Sequence, residues 1–142
     1  MNSNSSGHTG LSPLHTAAYD ARLEAVQLLL SRGAVCTVRD SCGSTPIHEV
    51  CMGLHEKAKR AQILGMLLES GDGVMNAQND DGETPLHFAA LYESPACCEP
   101  LLRAGAVVSL SLRDIDGQTP LYTAFQNKTS CQGVLARYAN NG

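Results

Sequence analysis

The sequence predicts an all-α solenoid of stacked helix–turn–helix units with turn or hairpin fingers, and three observations carry that expectation. A Ser/Thr-Pro-Leu/Ile-His/Tyr element is written four times: SPLHTAAY (12–19), TPIHEVCM (45–52), TPLHFAAL (84–91) and TPLYTAFQ (119–126). Its prolines, Pro13, Pro46, Pro85 and Pro120, lie 33, 39 and 35 residues apart. A period near 33 marks units that bury one shared core. A second echo, LLLSRGA (28–34), MLLESGD (66–72) and PLLRAGA (100–106), ends an apolar run in glycine each time.

Each part of the unit has a local reason. Ser12, Thr45, Thr84 and Thr119 stand where a hydroxyl can cap orphan backbone N–H groups at a helix start. The proline that follows fits the first helical position, because its missing N–H has no partner to lose there. Leu86, Ala89 and Ala90 then recur at helical spacing, and the small alanines let a neighbouring helix come close. Glycine closes the second helix. A turn follows in RDSCGS (39–44), NDDGET (79–84) and RDIDGQ (113–118), where glycine supplies a positive φ.

On these residues the chain resembles the ankyrin-repeat family over about residues 8–139, with four units. The resemblance implies an ankyrin-repeat solenoid: a β-turn or finger followed by two antiparallel helices per unit. The expected division is a disordered segment at 1–8 and a repeat domain at 9–139, with units at 9–39, 40–78, 79–113 and 114–139.

The units depart from the pattern in readable ways. In the first, Ala21 stands where the family usually has glycine. In the second, Val50-Cys51 replaces the alanine pair, and an insertion near 53–59 is expected to lengthen a helix or a loop. Lys57, Lys59 and Arg60 make that segment basic, either as a solvated loop or as an accessory contact. In the third, Pro95 and Pro100 predict a shortened second helix starting around Cys97–Glu99. Val107, Leu110 and Leu112 after it predict a β-hairpin arm. In the fourth, Tyr122 replaces the histidine. Gln126, Asn127, Lys128 and Arg137 there fit a terminal cap or a fragment boundary.

Composition narrows the function. The net charge is −4, which argues against a nucleic-acid footprint. No apolar run approaches the roughly 20 residues of a membrane span, and the N-terminus lacks the early cations and apolar run of a signal peptide. The six cysteines, several inside apolar patterns, read as reduced structural thiols, which points to cytoplasm or nucleus. No catalytic constellation and no cofactor motif occur. The motif histidines His15, His48 and His87 are structural bridges in the family. The cluster Cys42, His48, Cys51 and His55 matches no common zinc spacing, and a metal or redox role for it is the minor reading. Asn76 falls where the family can be hydroxylated by an asparaginyl hydroxylase; Val74 stands where an acid is expected, so the match is partial.

Surface is what remains. The resemblance implies partner binding on a concave face of turn tips and first helices. Carried over residue by residue, that face holds Leu11, Tyr19 and Asp20, then Ser41, Cys42, Ser44 and Met52. Asp80, Asp81, Glu83, Leu91 and Tyr92 follow, then Ile115, Asp116, Gln118, Gln126 and Asn127. The set has five acids and no base, around an apolar strip of Tyr19, Met52, Leu91 and Tyr92. Aromatic anchors inside a charged rim are common anatomy for a docking patch. The expectation is a monomeric, non-catalytic module that binds a protein or peptide bearing basic and apolar residues. The alternative is a stoichiometric inhibitor or regulatory subunit of an enzyme such as a kinase, by analogy with cyclin-dependent kinase inhibitors of four to five such units.

Overall fold

The computed structural model describes residues 12–52, 56–70, 74–92, 95–128 and 131–141. The segment expected to be disordered, the residue Leu11 and the insertion residues 53–55 lie outside them. Among the described residues there are eight α-helices in four pairs: α1 (Pro13–Tyr19) with α2 (Leu23–Ser31), α3 (Pro46–Val50) with α4 (Lys57–Ser70), α5 (Pro85–Leu91) with α6 (Pro95–Ala104), and α7 (Pro120–Asn127) with α8 (Cys131–Asn141). The first helices pack α1 on α3 and α5 on α7, while the second helices pack α2–α4–α6–α8 in sequence. The core lies between the two rows. It takes Leu14, Ile47 and Leu86 from the motif and Ala17, Ala18, Val50, Cys51, Ala89 and Ala90 from the small-residue pairs. Val26, Leu64, Leu67, Leu101, Leu102 and Leu135 complete it from the second row.

The caps form as the sequence predicts. The backbone N–H of His15 donates to Ser12 Oγ, and that of His87 to Thr84 Oγ1. The imidazoles reach much further. Each ring Nδ1 accepts from the backbone N–H of its own N-cap: Ser12 (3.2 Å), Thr45 (3.1 Å) and Thr84 (3.1 Å). Each Nε2 then meets a carbonyl of the next unit: Ser44 O at 2.7 Å, Glu83 O at 2.8 Å and Gln118 O at 2.9 Å. A neutral ring with the proton on Nε2 satisfies both ends. Burial, partly offset by the bond to Glu83, lowers the pKa of His48 to about 4. His87 is lowered for the same first reason. A second proton would have to sit on Nδ1, facing the cap's donors.

The fingers form a second ladder. Asp40, Asn79 and Asp114 each accept two backbone N–H groups of their own turn at 2.9–3.0 Å. Neighbouring turns are joined by Asp80 N–H to Cys42 O and Ile115 N–H to Asp81 O, both 2.9 Å. Gly82 has φ +75, and a Cβ there would stand 2.9 Å from Asp114 Cα. Only glycine meets both demands.

Four expectations are refined or corrected. The insertion lengthens a helix, since α4 has 14 residues against 9 in α2. Lys57 and Lys59 are exposed, but Arg60 is neither solvated nor an accessory contact. It is 6% exposed and donates to Tyr19 O (2.7 Å), Val50 O (3.2 Å) and Ala18 O (3.4 Å). One guanidinium thus serves the carbonyl ends of α1 and α3, where a cation suits the helix dipole. The shortened helix of the third unit is not seen. Helix α6 starts at Pro95 and runs through Pro100. Cys97, Cys98, Leu101 and Leu102 bury its inner side, and this packing outweighs one missing backbone bond. The β-hairpin arm is also absent, because residues Ala106–Ser111 form a 3₁₀ helix after Gly105 at φ +124. Ala106 and Ser109, three apart, are fully buried, and three residues per turn is the 3₁₀ period. The Ser109 hydroxyl donates to Asn76 Oδ1.

None of the six cysteines is in a disulfide, and all but Cys42 are buried. Cys51 and Cys97 form one hydrogen-bonded thiol pair, and Cys98 and Cys131 another. Cys97 also reaches Val50 O (3.8 Å) and Cys131 reaches Ala89 O (3.4 Å). The thiols of Cys51 and Cys98 are pushed upward, by burial first at Cys51 and by the bond to Cys131 first at Cys98.

Candidate interaction surface

The surface begins with the helix register. The residue after each motif His or Tyr is Thr16, Glu49, Phe88 or Thr123. It lies three positions before Tyr19, Met52, Leu91 or Gln126, so each pair shares one face of the helix or, at Met52, of the turn that ends it. On this face Tyr19 is 47% and Leu91 36% exposed, while Met52 and Tyr92 are half-buried. Phe88 ties neighbouring units together, with its ring edge-on to His48 at 5.1 Å and to Tyr92 at 5.7 Å between centroids.

The acids fall into two groups. Asp80, Asp81 and Asp116 are exposed on the fingers beside Ser41 and Ile115, which is 71% exposed. Asp20 is exposed at the C-cap of α1, 3.8 Å from Arg22. Glu83 is half-buried and accepts from Asn79 Nδ2 at 3.3 Å. Its pKa is raised by burial first, then by Asp81, Asp114 and Asp116, against the lowering bond from Asn79. The backbones of Glu83 and Gln118 also receive the histidine bonds, so these positions are structural as well as superficial. Gln126 is exposed and donates to the Tyr122 hydroxyl at 3.4 Å. Ser44 is corrected: at 4% exposed it is buried, with its carbonyl bound to His15.

Sequence reasoning missed Glu49. Its carboxyl is half-buried, and among the described residues it has no ion-pair or hydrogen-bond partner. Burial first, then Asp40, raises its pKa to about 7. The hydroxyl of Tyr92 feels it too: burial, then Glu83, Glu49 and Tyr19, hold that proton on. The signal was available, since Glu49 stands one turn before Met52. The arginines at the roots of the fingers are committed to turn carbonyls. Arg39 donates to Gly43 O and Gln78 O, both at 2.9 Å, and Arg113 to Gly117 O at 2.8 Å.

The suggested metal cluster does not assemble. Cys42 is exposed on a finger, Cys51 is in the core, and both nitrogens of His48 are engaged; His55 lies outside the described residues. Among those residues no three His, Cys, Asp or Glu side chains converge for a metal ion. An open apolar recess lies at the last pair, lined by Leu121, Tyr122, Phe125 and Ala136 with Thr119 and Gln132.

Two family models match the chain, ankyrin repeats in many copies over residues 14–68 and ankyrin repeats in three copies over 54–141. The chain belongs to the ankyrin-repeat family. Ankyrin repeats are general protein–protein interaction modules, not catalysts. The chain is 32% identical to the tyrosine-protein kinase HTK16 of Hydra vulgaris, over 88% of its own length and 16% of the kinase. It is 39% identical to the probable E3 ubiquitin-protein ligase XBOS33 of Oryza sativa subsp. japonica, over 72% and 19%. It is 36% identical to the human SH3 and multiple ankyrin repeat domains protein 2, over 81% and 6%. The chain therefore spans less than a fifth of the length of each of these relatives. No helix among the described residues is long and apolar enough to cross a membrane.

Proposed function

We propose that this chain is a non-catalytic docking module that takes a partner protein or peptide on the concave face formed by its first helices and fingers. The observation that carries the reading is the strip of Tyr19, Met52, Leu91 and Tyr92 beside Glu49, Glu83, Asp80 and Asp81, with the nearby arginines bound to turn carbonyls. A face of that make-up favours a segment with basic and apolar residues. The histidine and finger ladders hold it in shape before binding, so little ordering entropy is lost. Relatives named as a kinase, a ligase and a multi-domain protein match in this repeat region, which supports docking as the shared property. The reading includes a monomer working in cytoplasm or nucleus, in keeping with six cysteines outside any disulfide.

The test is affinity capture with mass spectrometry, comparing the wild type with Leu91→Asp/Tyr92→Ala. The variant should keep its helical circular dichroism and lose at least about tenfold of the captured partner, as expected when a hot-spot aromatic is removed. An unchanged set of captured proteins at unchanged yield would sink the reading.

A further inference from the structure

The apolar strip has one unusual neighbour, Glu49. A carboxyl brought half out of water normally gains a donor in exchange. Glu83, one unit on, has Asn79, and Asp40 has the N–H groups of Cys42 and Ser44. Glu49 has no such partner among the described residues. Met52 follows it by three positions, and Tyr92, whose ring meets Phe88, lies within electrostatic reach of it; such apolar surfaces suit the methylene stem of a long basic side chain.

We propose that Glu49 seats one lysine or arginine side chain of the docked segment, and that the segment presents an apolar residue beside it to the Tyr92–Leu91 strip. The proposal rests on the groove reading above and sharpens it to one contact.

The chemistry carries a further consequence. The empty site holds its proton to about pH 7. An incoming cation favours the carboxylate, so seating it expels that proton to solvent, and docking strengthens as pH rises through neutrality. The groups facing Glu49 do not imitate this. Asp40 lies on the preceding finger. His48, beside it on α3, is lowered to about 4 and is neutral across the window. Tyr92, at the C-cap of α5, is raised above its ordinary 10. Arg60 on α4 is committed to the Ala18, Tyr19 and Val50 carbonyls. Among the described residues Glu83 is the one other carboxyl whose pKa is raised, so Glu83→Gln serves as the control.

The experiment selects a display library of random dodecapeptides on the wild-type protein, then titrates the enriched peptides by fluorescence anisotropy at pH 6 and pH 8. Enriched peptides should share one basic position next to an apolar one. A proton released from a group of pKa about 7 makes them bind about tenfold tighter at pH 8 than at pH 6. Glu49→Gln should abolish both the basic preference and the pH effect, while Glu83→Gln keeps the pH effect. Asp40→Asn, which still offers its oxygen to the turn, should move the midpoint to lower pH. Enriched peptides without a basic position, or a pH effect that survives Glu49→Gln, would overturn the seat. If the same peptides bind Leu91→Asp/Tyr92→Ala equally well, or if no peptide is enriched, the groove reading falls and the seat with it. Loss of binding in that double variant with Glu49→Gln unaffected overturns the seat alone.

Discussion

The junctions between the first three helix pairs and their successors differ sharply from the outer face of the fourth pair. At each junction an imidazole runs from its own cap to a carbonyl of the next unit. In the fourth unit Tyr122 occupies the same motif position, yet it is 48% exposed, and among the described residues its hydroxyl accepts only from Gln126, at 3.4 Å. Phe125, in the slot that Ala18, Cys51 and Ala90 fill at no exposure elsewhere, is 60% exposed. One motif thus builds a seam where a unit follows and an apolar recess where the described chain ends. The difference teaches that the histidine belongs to the pair of units rather than to its own helix.

The largest break in this contrast should come from His48→Ala. It removes a bridge bond, leaves the Glu83 carbonyl without its donor and opens a small void, for about 3 kcal/mol. Tyr122→Ala should cost about 0.5 kcal/mol or less, as surface substitutions do. Urea unfolding of both variants checks this, and equal losses would erase the distinction.

Acid should act next, and its sign differs between two neighbours on α3. The folded pKa of His48 is depressed, so its stability is complete above about 6.5 and is lost as pH falls towards 4. The folded pKa of Glu49 is raised from 4.5 to about 7, so its stability is complete below 4.5 and is lost as pH rises through 7. Between pH 7 and pH 5 the two oppose each other. Glu49→Gln should therefore expose the histidine's decline. Taken from pH 8 to pH 5, the variant should lose about 2 kcal/mol more than wild type, a figure discounted for the carboxyl's partial exposure. Parallel melting profiles for the two proteins would show that Glu49 is not the compensating group.

The smallest expected contrast lies in the fingers. Gly82 and Gly117 have the same backbone, φ +75 and +79, but a Cβ on Gly117 would meet nothing within 4 Å. Gly117→Ala should cost about 1 kcal/mol for the left-handed φ alone. Gly82→Ala should cost about 1–2 kcal/mol more, because Asp114 must move. Thermal unfolding of the two variants separates conformational strain from contact between units.

Much of this was legible because caps, prolines and small residues act locally. Thr84-Pro85 dictates a helix start wherever it stands, and Ala89-Ala90 declares a close neighbour. The misreadings were tertiary. Pro100 costs a helix one bond, but the sequence does not show Cys98 pairing with Cys131 to hold that helix in place. Val107, Leu110 and Leu112 suggested a strand, while Ala106, Ser109 and Leu112, three apart, carried the period that packing used. Arg60 looked like solvent-facing charge, because two of the three carbonyls it serves lie 42 and 41 positions upstream, at a helix end that sequence alone does not bring near it. Glu49 was passed over because attention to turn tips left out the position one turn earlier on the same face.

The sulphur atoms at the heart of the stack have a practical consequence. Cys51, Cys97, Cys98 and Cys131 lie across the second, third and fourth pairs, and no reagent reaches them while those pairs stay closed. Cys42, out on its finger, is open to attack from the first moment. Alkylation followed by mass analysis would thus score one fast event and then a slow series, each step timing how often two neighbouring units part. The molecule carries its own stopwatch for breathing.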